Sequence, residues 1–459
     1  MEKLSRRAFL RLTGAAALGA LVTACAPAVK PTEAPQATQV AAGVTQAPAQ
    51  GTMVTFWPEW GGKDSDALLA QVQKFTEETG TPVQYLPIRD HARMIASMGA
   101  GNPPDLLMTW DAGAVGTWFF NGAIKEIKPY VEKSGFDLSK LHPMGVAAGT
   151  MMGHLIALSL SNYMNSVLYW NKDIFKQEGL DPETPPSTWE ELAAWSDKLT
   201  KVEGDEITRL GFLVNYGQYS AGTIQYSWGG RYYSEDGTQI TCDNDGMIAA
   251  LEYTRSFFQK YGVDKVQRFS SGLSADVDNP ACPFYTGAGV IRLDGEWVPT
   301  FVDQVKPDLN YGAGYMPYPE SMPASKGVMV ANANPMVIPA AAKNPDGAWN
   351  LIQFLNRPEV SAEMLLIVGN ASPVKDGIQQ MVSKVKNEKY KWILEDPWTK
   401  ATVYPLTVMS PVGALYSDEL TKAVEAVNNL QQDPKAAMKA VKDKVQPELD
   451  AALKKMGVK

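Results

Sequence analysis

Cysteine and histidine are scarce in this sequence, whose 459 residues contain three of each. Three cysteines cannot form a disulfide framework, and three histidines leave little for a histidine-based metal site or general acid. The net charge is −8, from 42 basic and 50 acidic residues, so the chain lacks the basic field that a nucleic-acid-binding protein needs. It does have 45% hydrophobic and 20% charged residues, which predicts a large folded core and excludes general disorder.

The N-terminus has the pattern of an export signal followed by a tether. Twin arginines in Ser5-Arg6-Arg7-Ala8-Phe9-Leu10 precede an apolar stretch over 10–21 that is too short to span a membrane. The stretch ends at Leu21-Val22-Thr23-Ala24-Cys25, which resembles a bacterial lipobox; the alternative is an ordinary secretory signal with a chance cysteine. We expect a signal peptide over 1–24, lipidation of Cys25, and a disordered linker over 25–52, because that segment has few large apolar side chains to bury. The pattern predicts export, through the Tat or the Sec route, and lipid anchoring on the outer face of the bacterial cell membrane.

Two further patterns, a pair of cysteines and a short acidic run, each have two interpretations. Cys242 and Cys282 could pair in an oxidising compartment or remain buried thiols, and the sequence leaves both open. Asp243-Asn244-Asp245-Gly246 resembles part of a calcium loop, but the EF-hand spacing and its closing glutamate are absent. An acidic helix cap explains the second pattern better, so we predict no metal site.

Strand-like and helix-like segments alternate along the body of the chain. Short apolar runs predict strands at 53–57, 82–88 and 105–109, each followed by a helical pattern. Such alternation favours parallel pairing and an α/β layered domain. Further predicted strands follow at 155–160, 166–170, 210–215 and 289–293, and from residue 415 onward the pattern is mostly helical.

Some tryptophans fit a helical core. Ser187-Thr188-Trp189-Glu190 predicts a capping box with Ser187 as the cap, and the helix it opens carries Trp189 and Trp195 at helical spacing. Trp349 belongs to a late amphipathic helix. We expect these three rings to be buried in the core.

Other tryptophans stand beside an acid at the ends of predicted strands. In open α/β sheets, ligands bind in the crevice beyond the carboxyl ends of the strands. A flat indole beside carboxylate and amide acceptors suits a sugar, whose C–H face packs on the ring while its hydroxyls donate. Packing under a loop is the alternative for each ring. The residues at these strand ends are Trp57, Glu59, Trp60, Trp110, Asp111, Glu296 and Trp297.

Weaker candidates of the same kind lie elsewhere in the chain. Tyr226 and Trp228 precede a Gly-Gly pair, and Asn332 and Asn334 lie in a polar segment before a proline. Asn162 and Tyr163 lie between two predicted strands, where the chain could pass from one lobe to the other.

Several sequence blocks resemble the extracellular solute-binding proteins of ATP-driven import systems, specifically the sugar-binding family 1 group. The similarity spans about 52–459, and the Tyr169–Phe175 block followed by Pro186–Leu192 is its most specific part. By position in this resemblance, Trp297 is the expected sugar-stacking ring. The other blocks are Phe56-Trp57 with the following Gly-Gly, Gly101–Leu106, Phe284–Gly289 with Gly295–Trp297, and Lys343–Trp349.

The resemblance implies an α/β, two-lobed periplasmic-binding-protein-like (type II) fold with a hinge and a ligand cleft between the lobes. It implies a non-enzymatic protein without a cofactor, a monomer that closes around a solute and docks on the membrane permease of an ABC importer. The expected lobes are lobe one over 53–160 and 316–371, and lobe two over 161–315 and 372–459.

Two alternatives remain open at this stage. The same scaffold could bind a peptide, a polyamine or another cation through Glu59, Asp111 and Glu296. An exported glycosidase is the rival from another class, because aromatic clefts with paired carboxylates also suit glycoside hydrolysis, and Asp294 with Glu296 is the only pair that stands out.

Overall fold

The computed structural model describes residues 52–214, 216–274 and 276–458. The expectations for the signal peptide, for Cys25 and for the linker up to residue 51 lie outside these residues. Among the helices that are described, none is long and apolar enough to cross a membrane.

The described strands and helices alternate along most of the chain. The strands are β1 Val54–Pro58, β2 Val83–Tyr85, β3 Leu106–Met108, β4 Thr150–Met151, β5 His154–Leu155, β6 Leu158–Met164, β7 Val167–Asn171, β8 Lys201–Glu203, β9 Glu206–Phe212, β10 Gly289–Asp294, β11 Tyr311–Gly314, β12 Val328–Val337 and β13 Thr402–Pro405. The helices are α1 Gly62–Thr79, α2 His91–Gly99, α3 Ala112–Phe120, α4 Lys128–Ser134, α5 Pro143–Ala148, α6 Lys172–Gln177, α7 Trp189–Leu199, α8 Ala221–Ile224, α9 Asp245–Tyr261, α10 Val263–Ser271, α11 Pro283–Thr286, α12 Val298–Val305, α13 Pro345–Leu355, α14 Pro358–Val368, α15 Lys375–Lys384, α16 Glu388–Glu395, α17 Pro397–Lys400, α18 Gly413–Asn428 and α19 Pro434–Lys455.

The first sheet has the strand order β13-β12-β3-β1-β2, with β6 also paired to β12. Its β1, β2 and β3 are parallel, as the strand–helix alternation predicts. β12 runs antiparallel to both β3 and β6, and all ten of its residues are buried. We call the part of the molecule built around this sheet lobe one.

The second sheet has the order β11-β7-β10-β9-β8. In it β7 pairs antiparallel with β10 and β11, and β10 pairs parallel with β9. We call the part built around this sheet lobe two. β13 joins the first sheet through β12, although the sequence analysis places 372–459 in lobe two.

The passage from lobe one to lobe two is short. β6 ends at Met164 and β7 begins at Val167, so Asn165 and Ser166 alone separate them. Both are held by β12, because Asn165 N donates to Val330 O at 2.8 Å and Val330 N donates to Ser166 Oγ at 2.7 Å. The two sheets are therefore joined at a point that has little freedom to slide.

Helix α7 has a capping box one residue later than the sequence analysis predicts. Thr188 Oγ1 accepts from Glu191 N at 3.1 Å, and Glu191 Oε2 accepts from Thr188 N at 3.2 Å. The shift puts a threonine rather than Ser187 at the cap; both residue types serve there. Trp189 and Trp349 are buried as expected, while Trp195 is half-buried against the core.

The two cysteines of the folded body are separate buried thiols. Cys282 Sγ accepts from Arg292 Nη1 at 3.1 Å, and Cys242 Sγ donates to Met438 O at 3.5 Å. Asn244 caps helix α9 by accepting from Met247 N at 2.8 Å. The acidic run at 243–246 thus has the helix-cap role that the sequence analysis favours.

Buried Asp105 joins three segments of lobe one. Its Oδ2 accepts from Thr55 N and Thr55 Oγ1, both at 2.8 Å, and its Oδ1 accepts from Asn344 N at 2.7 Å. The residue that opens β3 therefore fixes β1 and the N-terminus of α13.

We expect Asp105→Ala to lower the free energy of unfolding by about 2–3 kcal/mol, because buried N–H donors lose their acceptor. Urea unfolding of the chain checks this, with Asp66→Ala, which removes an exposed carboxylate of α1, as the control. Equal midpoints for the two variants would contradict this role of Asp105.

Candidate functional site

A cleft of about 840 Å³ opens among residues of both lobes. Six of the residues that the sequence analysis selects line it, and they come from five separated stretches of chain. These six are Trp60, Trp110, Tyr163, Trp297, Asn332 and Asn334.

Aromatic rings form one part of the cleft wall. Trp297 and Tyr163 meet edge to face, with ring centroids 5.7 Å apart. Trp110 is 41% exposed, and the Arg89 guanidinium lies 5.5 Å from its ring centroid. Trp60 is almost fully buried but reaches the cleft surface. Exposed indole surface in a concave site can stack on the apolar face of a ligand.

Amide side chains form the floor. Asn334 Oδ1 accepts from Ser161 Oγ at 2.7 Å, and Asn332 Nδ2 donates to Thr407 Oγ1 at 3.2 Å. Buried Oδ1 atoms of Asn165 and Asn370 have no hydrogen-bond partner. Both residues line the cleft, so these two unpaired acceptors lie next to the space that a ligand would occupy.

Charged residues of both signs also line the cleft. Lys63, Asp64 and Arg89 come from lobe one, and Asp276 and Asp278 follow α10 in lobe two. Burial raises the pKa of Asp64 to about 6, against the lowering effect of Lys63 and with a smaller raising effect of Asp278. Burial also lowers the pKa of Lys63.

Lys63 connects elements that follow strands of different sheets. Its Nζ donates to Ile367 O near the end of α14 and to Thr300 Oγ1 of α12, both at 3.2 Å, and lies 3.8 Å from the Phe301 ring centroid. The Lys63 ammonium therefore links α1 of lobe one to α12 of lobe two at the cleft.

Glu59, Trp57 and Asp111 lie outside the cleft lining. Fully buried Glu59 accepts from Thr109 Oγ1 at 2.6 Å and from Trp110 N at 2.8 Å, so it supports the Trp110 loop from behind. Asp111 caps α3 by accepting from Ala114 N at 3.0 Å. The Trp57 ring packs against a separate group of buried side chains that includes Leu107, and the Arg93 guanidinium lies 5.6 Å from its centroid.

Asn162 and Glu296 are also absent from the lining. Asn162 and Tyr163 are neighbours in β6, so their side chains point to opposite faces and only Tyr163 reaches the cleft; Asn162 packs toward Gly145. Glu296 is fully buried between Ala371 and Trp398.

Tyr226 and Trp228 likewise have structural contacts. The Tyr226 hydroxyl donates to Pro405 O at 2.9 Å, and Trp228 stacks on Trp189 with centroids 5.5 Å apart. Both rings belong to packing beside or within lobe two rather than to the cleft lining.

Most of the polar lining lies at positions that the sequence patterns did not select. Lys63 and Asp64 open α1 directly after the strand end and the Gly61-Gly62 pair, so the strand-end rule that selected Trp60 could have included them. Phe301 and Gln304, one helical turn or more after Trp297, carried no such signal. The remaining missed residues are Gly61, Gly62, Arg89, Asn165, Gln218, Asp276, Val277, Asp278, Val368, Asn370 and Leu406.

The model of a family described as bacterial extracellular solute-binding protein matches residues 70–391. The sn-glycerol-3-phosphate-binding periplasmic protein UgpB of Pectobacterium atrosepticum is 28% identical over 346 residues, which cover 71% of this chain and 74% of that protein. UgpB of Escherichia coli K12 is 26% identical over 332 residues, with 68% and 72% covered.

Solved structures show the same architecture. A mannotriose-bound structure of CpMnBP1 has 25% identity and a TM-score of 0.77, and covers 87% of this chain and 100% of that one. Maltose-bound MalE3 of T. maritima has 20% identity and a TM-score of 0.68, covering 87% and 99%. These likenesses confirm the predicted two-lobed α/β, type II periplasmic-binding-protein-like fold.

A histidine beneath the Trp110 loop should make stability depend on pH. His91 Nδ1 lies 3.0 Å from Glu59 Oε1, and its Nε2 lies 3.5 Å from Asp111 Oδ2. The hydrogen bond to Glu59 raises the His91 pKa, against a smaller opposing effect of burial. The stabilisation is therefore complete below the unfolded pKa of about 6.5 and is lost as pH rises through the higher folded value.

We expect the difference in unfolding free energy between the wild-type chain and His91→Gln to be larger at pH 5.5 than at pH 8.5. Urea unfolding at the two pH values measures it. A difference that stays constant, or grows with pH, would refute the coupling.

Proposed function

Because this chain belongs to the bacterial extracellular solute-binding proteins, we propose that it captures a mono- or oligosaccharide in its cleft and delivers it to the permease of an ABC importer. The observation that carries the proposal is the meeting of Trp60, Trp110 and Trp297 with free amide acceptors in one cleft. Rings bind the C–H faces of a sugar, and the amides accept from its hydroxyls. CpMnBP1 and MalE3, whose structures contain mannotriose and maltose, support this ligand class.

A phosphate ester of a small polyol is the second candidate ligand. Lys63 and Arg89 line the cleft beside the start of α1, where a cation and helix amides favour an anion. The UgpB relatives, named for sn-glycerol-3-phosphate, point the same way. Asp64, Asp276 and Asp278 oppose it by adding negative charge.

The earlier alternatives lose their named residues. Glu59 and Glu296 are buried away from the cleft, which weakens a cation site built on them. Asp294 pairs with Arg292 inside lobe two, so it does not form an accessible acid–base pair with Glu296. Binding without turnover is therefore the function we favour.

Lobe closure would turn binding into a signal for the permease. Lys63 already contacts α12 of lobe two from α1 of lobe one, and a ligand that contacts both lobes favours the closed arrangement. We propose lobe limits near those of the sequence analysis, except that β13 belongs to lobe one because it pairs with β12. We also propose a monomer as the docking form.

We also propose a lipid anchor at Cys25. The lipobox-like segment and the linker that follows it support attachment to the outer face of the cell membrane. The extracellular family agrees with an exported location.

We expect a thermal-shift screen of the chain without residues 1–52 to find a sugar that raises its Tm, because a ligand selective for the native state stabilises it. Trp297→Ala should weaken binding of that sugar at least tenfold, about 1.4 kcal/mol. Trp57→Ala, a tryptophan outside the cleft, is the matched control and should keep the wild-type affinity in calorimetry.

Three results would decide against carbohydrate capture. A Tm response to glycerol 3-phosphate alone would select the phosphate ester, and a response to polyamines alone would select a cation. Release of product from a labelled oligosaccharide by the purified chain would indicate an enzyme.

Cys25→Ala should move the full-length protein from the membrane pellet to the soluble extracellular or periplasmic fraction, because the lipid attachment site is lost. Cys242→Ala is the control and should stay in the pellet. Immunoblots of the fractions from cells expressing each variant measure this, and a Cys25→Ala protein that remained membrane-bound without detergent would contradict the anchor.

A further inference from the structure

Glu296 is fully buried beside the passage from β6 to β7. It stands between β10 and α12, one residue before Trp297. Its Oε1 accepts from Ala371 N and its Oε2 accepts from Trp398 Nε1, both at 2.5 Å. Its own N–H donates to Met164 O at 3.1 Å. One residue therefore binds three distant parts of the chain.

Each of the three partners belongs to a segment next to lobe one. Met164 ends β6, just before the passage into β7. Ala371 follows α14 and forms a bridge with Asn162 of β6. Trp398 lies in α17, which leads into β13 of the first sheet. The carboxylate thus joins a loop of lobe two to three segments that connect to lobe one.

The burial of this carboxylate is costly. Within the described part of the chain, no lysine or arginine pairs with Glu296, and burial raises its pKa to about 8. Below that pH the carboxyl is mostly protonated, and above it the buried charge is stable only where hydrogen bonds replace water. The two N–H donors supply such bonds, and a glutamine could offer only one oxygen to them.

The loop that Glu296 holds also carries the cleft ring Trp297. The Tyr169 hydroxyl donates to Gly295 O at 2.9 Å, and Trp297 meets Tyr163, the neighbour of Met164, edge to face. The loop therefore docks on the end of β6 through both its backbone and its ring.

We propose that Glu296 is a positioning residue for ligand capture: its carboxylate fixes the Gly295–Trp297 loop on the three segments and so holds the Trp297 ring in the cleft. The part of this inference that concerns the ligand rests on the proposed function, whereas the contact with Trp398 and Ala371 stands without it.

A double-mutant cycle tests the route through Trp297. At a pH above the Glu296 pKa of about 8, where the carboxylate offers both oxygens, Glu296→Gln should weaken binding of the sugar found in the screen about tenfold. Adding it to Trp297→Ala should cause no further loss. Leu192→Ala, a core truncation in α7, is the control for stability alone and should keep the affinity. Independent, additive losses in the cycle, or wild-type affinity in Glu296→Gln, would overturn the proposal.

A second measurement needs no ligand. The ¹H–¹⁵N indole signal of Trp398, assigned by its loss in Trp398→Phe, should shift with a midpoint near pH 8 in the wild-type chain and not in Glu296→Gln. The Trp297 indole signal should move in Glu296→Gln at a fixed pH. Indole signals of both residues that are the same in the two proteins at every pH would overturn the proposal.

The other titratable groups that face Glu296 and Trp398 have pKa values away from 8. His142 lies edge to face on Trp398, with 5.2 Å between centroids. Burial lowers the pKa of His142 below the usual 6.5, against a smaller raising effect of a hydrogen bond with the Trp398 backbone and with a lowering effect of Lys375. Tyr390 and Tyr169 also face Glu296, and burial raises the pKa of each well above 10. If no sugar binds while the Trp398 indole signal shifts near pH 8 as expected, the proposed function fails. The contact of Glu296 with Trp398 and Ala371 then still stands.

Discussion

The pairing of β12 with β6 is the constraint on which the cleft depends. Its register sets Asn332 opposite Tyr163 and Ala333 opposite Asn162. Because side chains alternate across a strand, one pair faces the cleft and the other faces the interior. The same two strands hold the passage into lobe two, so a slip of one residue would remove the cleft floor and displace the hinge together.

Three buried carboxylates perform a common task in this fold. Asp105, Glu59 and Glu296 each accept from a backbone N–H of a segment distant in sequence. Such bonds are directional, so they fix where loops leave the sheets more sharply than apolar contact does. Two of them support the loops that present Trp110 and Trp297, which explains why acids accompany tryptophans at the strand ends without lining the cleft themselves.

The cleft combines stacking surface, amide acceptors and charges of both signs. The rings and amides suit a polyhydroxylated solute, while Lys63 of lobe one and Asp278 of lobe two interact electrostatically. Opposite charges across a cleft attract over a distance that salt shortens, so the same groups can contribute to closure as well as to ligand choice.

The sequence by itself determined the fold class, the family and the positions of several cleft rings. Strand–helix alternation, the strand-end rule and the quoted motif blocks are local patterns, and they selected Trp60, Trp110 and Trp297, which line the cleft. Tertiary structure alone decided which of two neighbouring residues, such as Asn162 and Tyr163, lines the cleft. Glu59 and Glu296 look like ligand-binding acids from their positions, yet backbone donors from residues 51 and 75 positions away capture their oxygens. Pairing across such separations depends on register and packing, which no local pattern encodes. Because the polar lining from 276–278 and from Asn370 also depends on long-range packing, it became visible only in the folded chain.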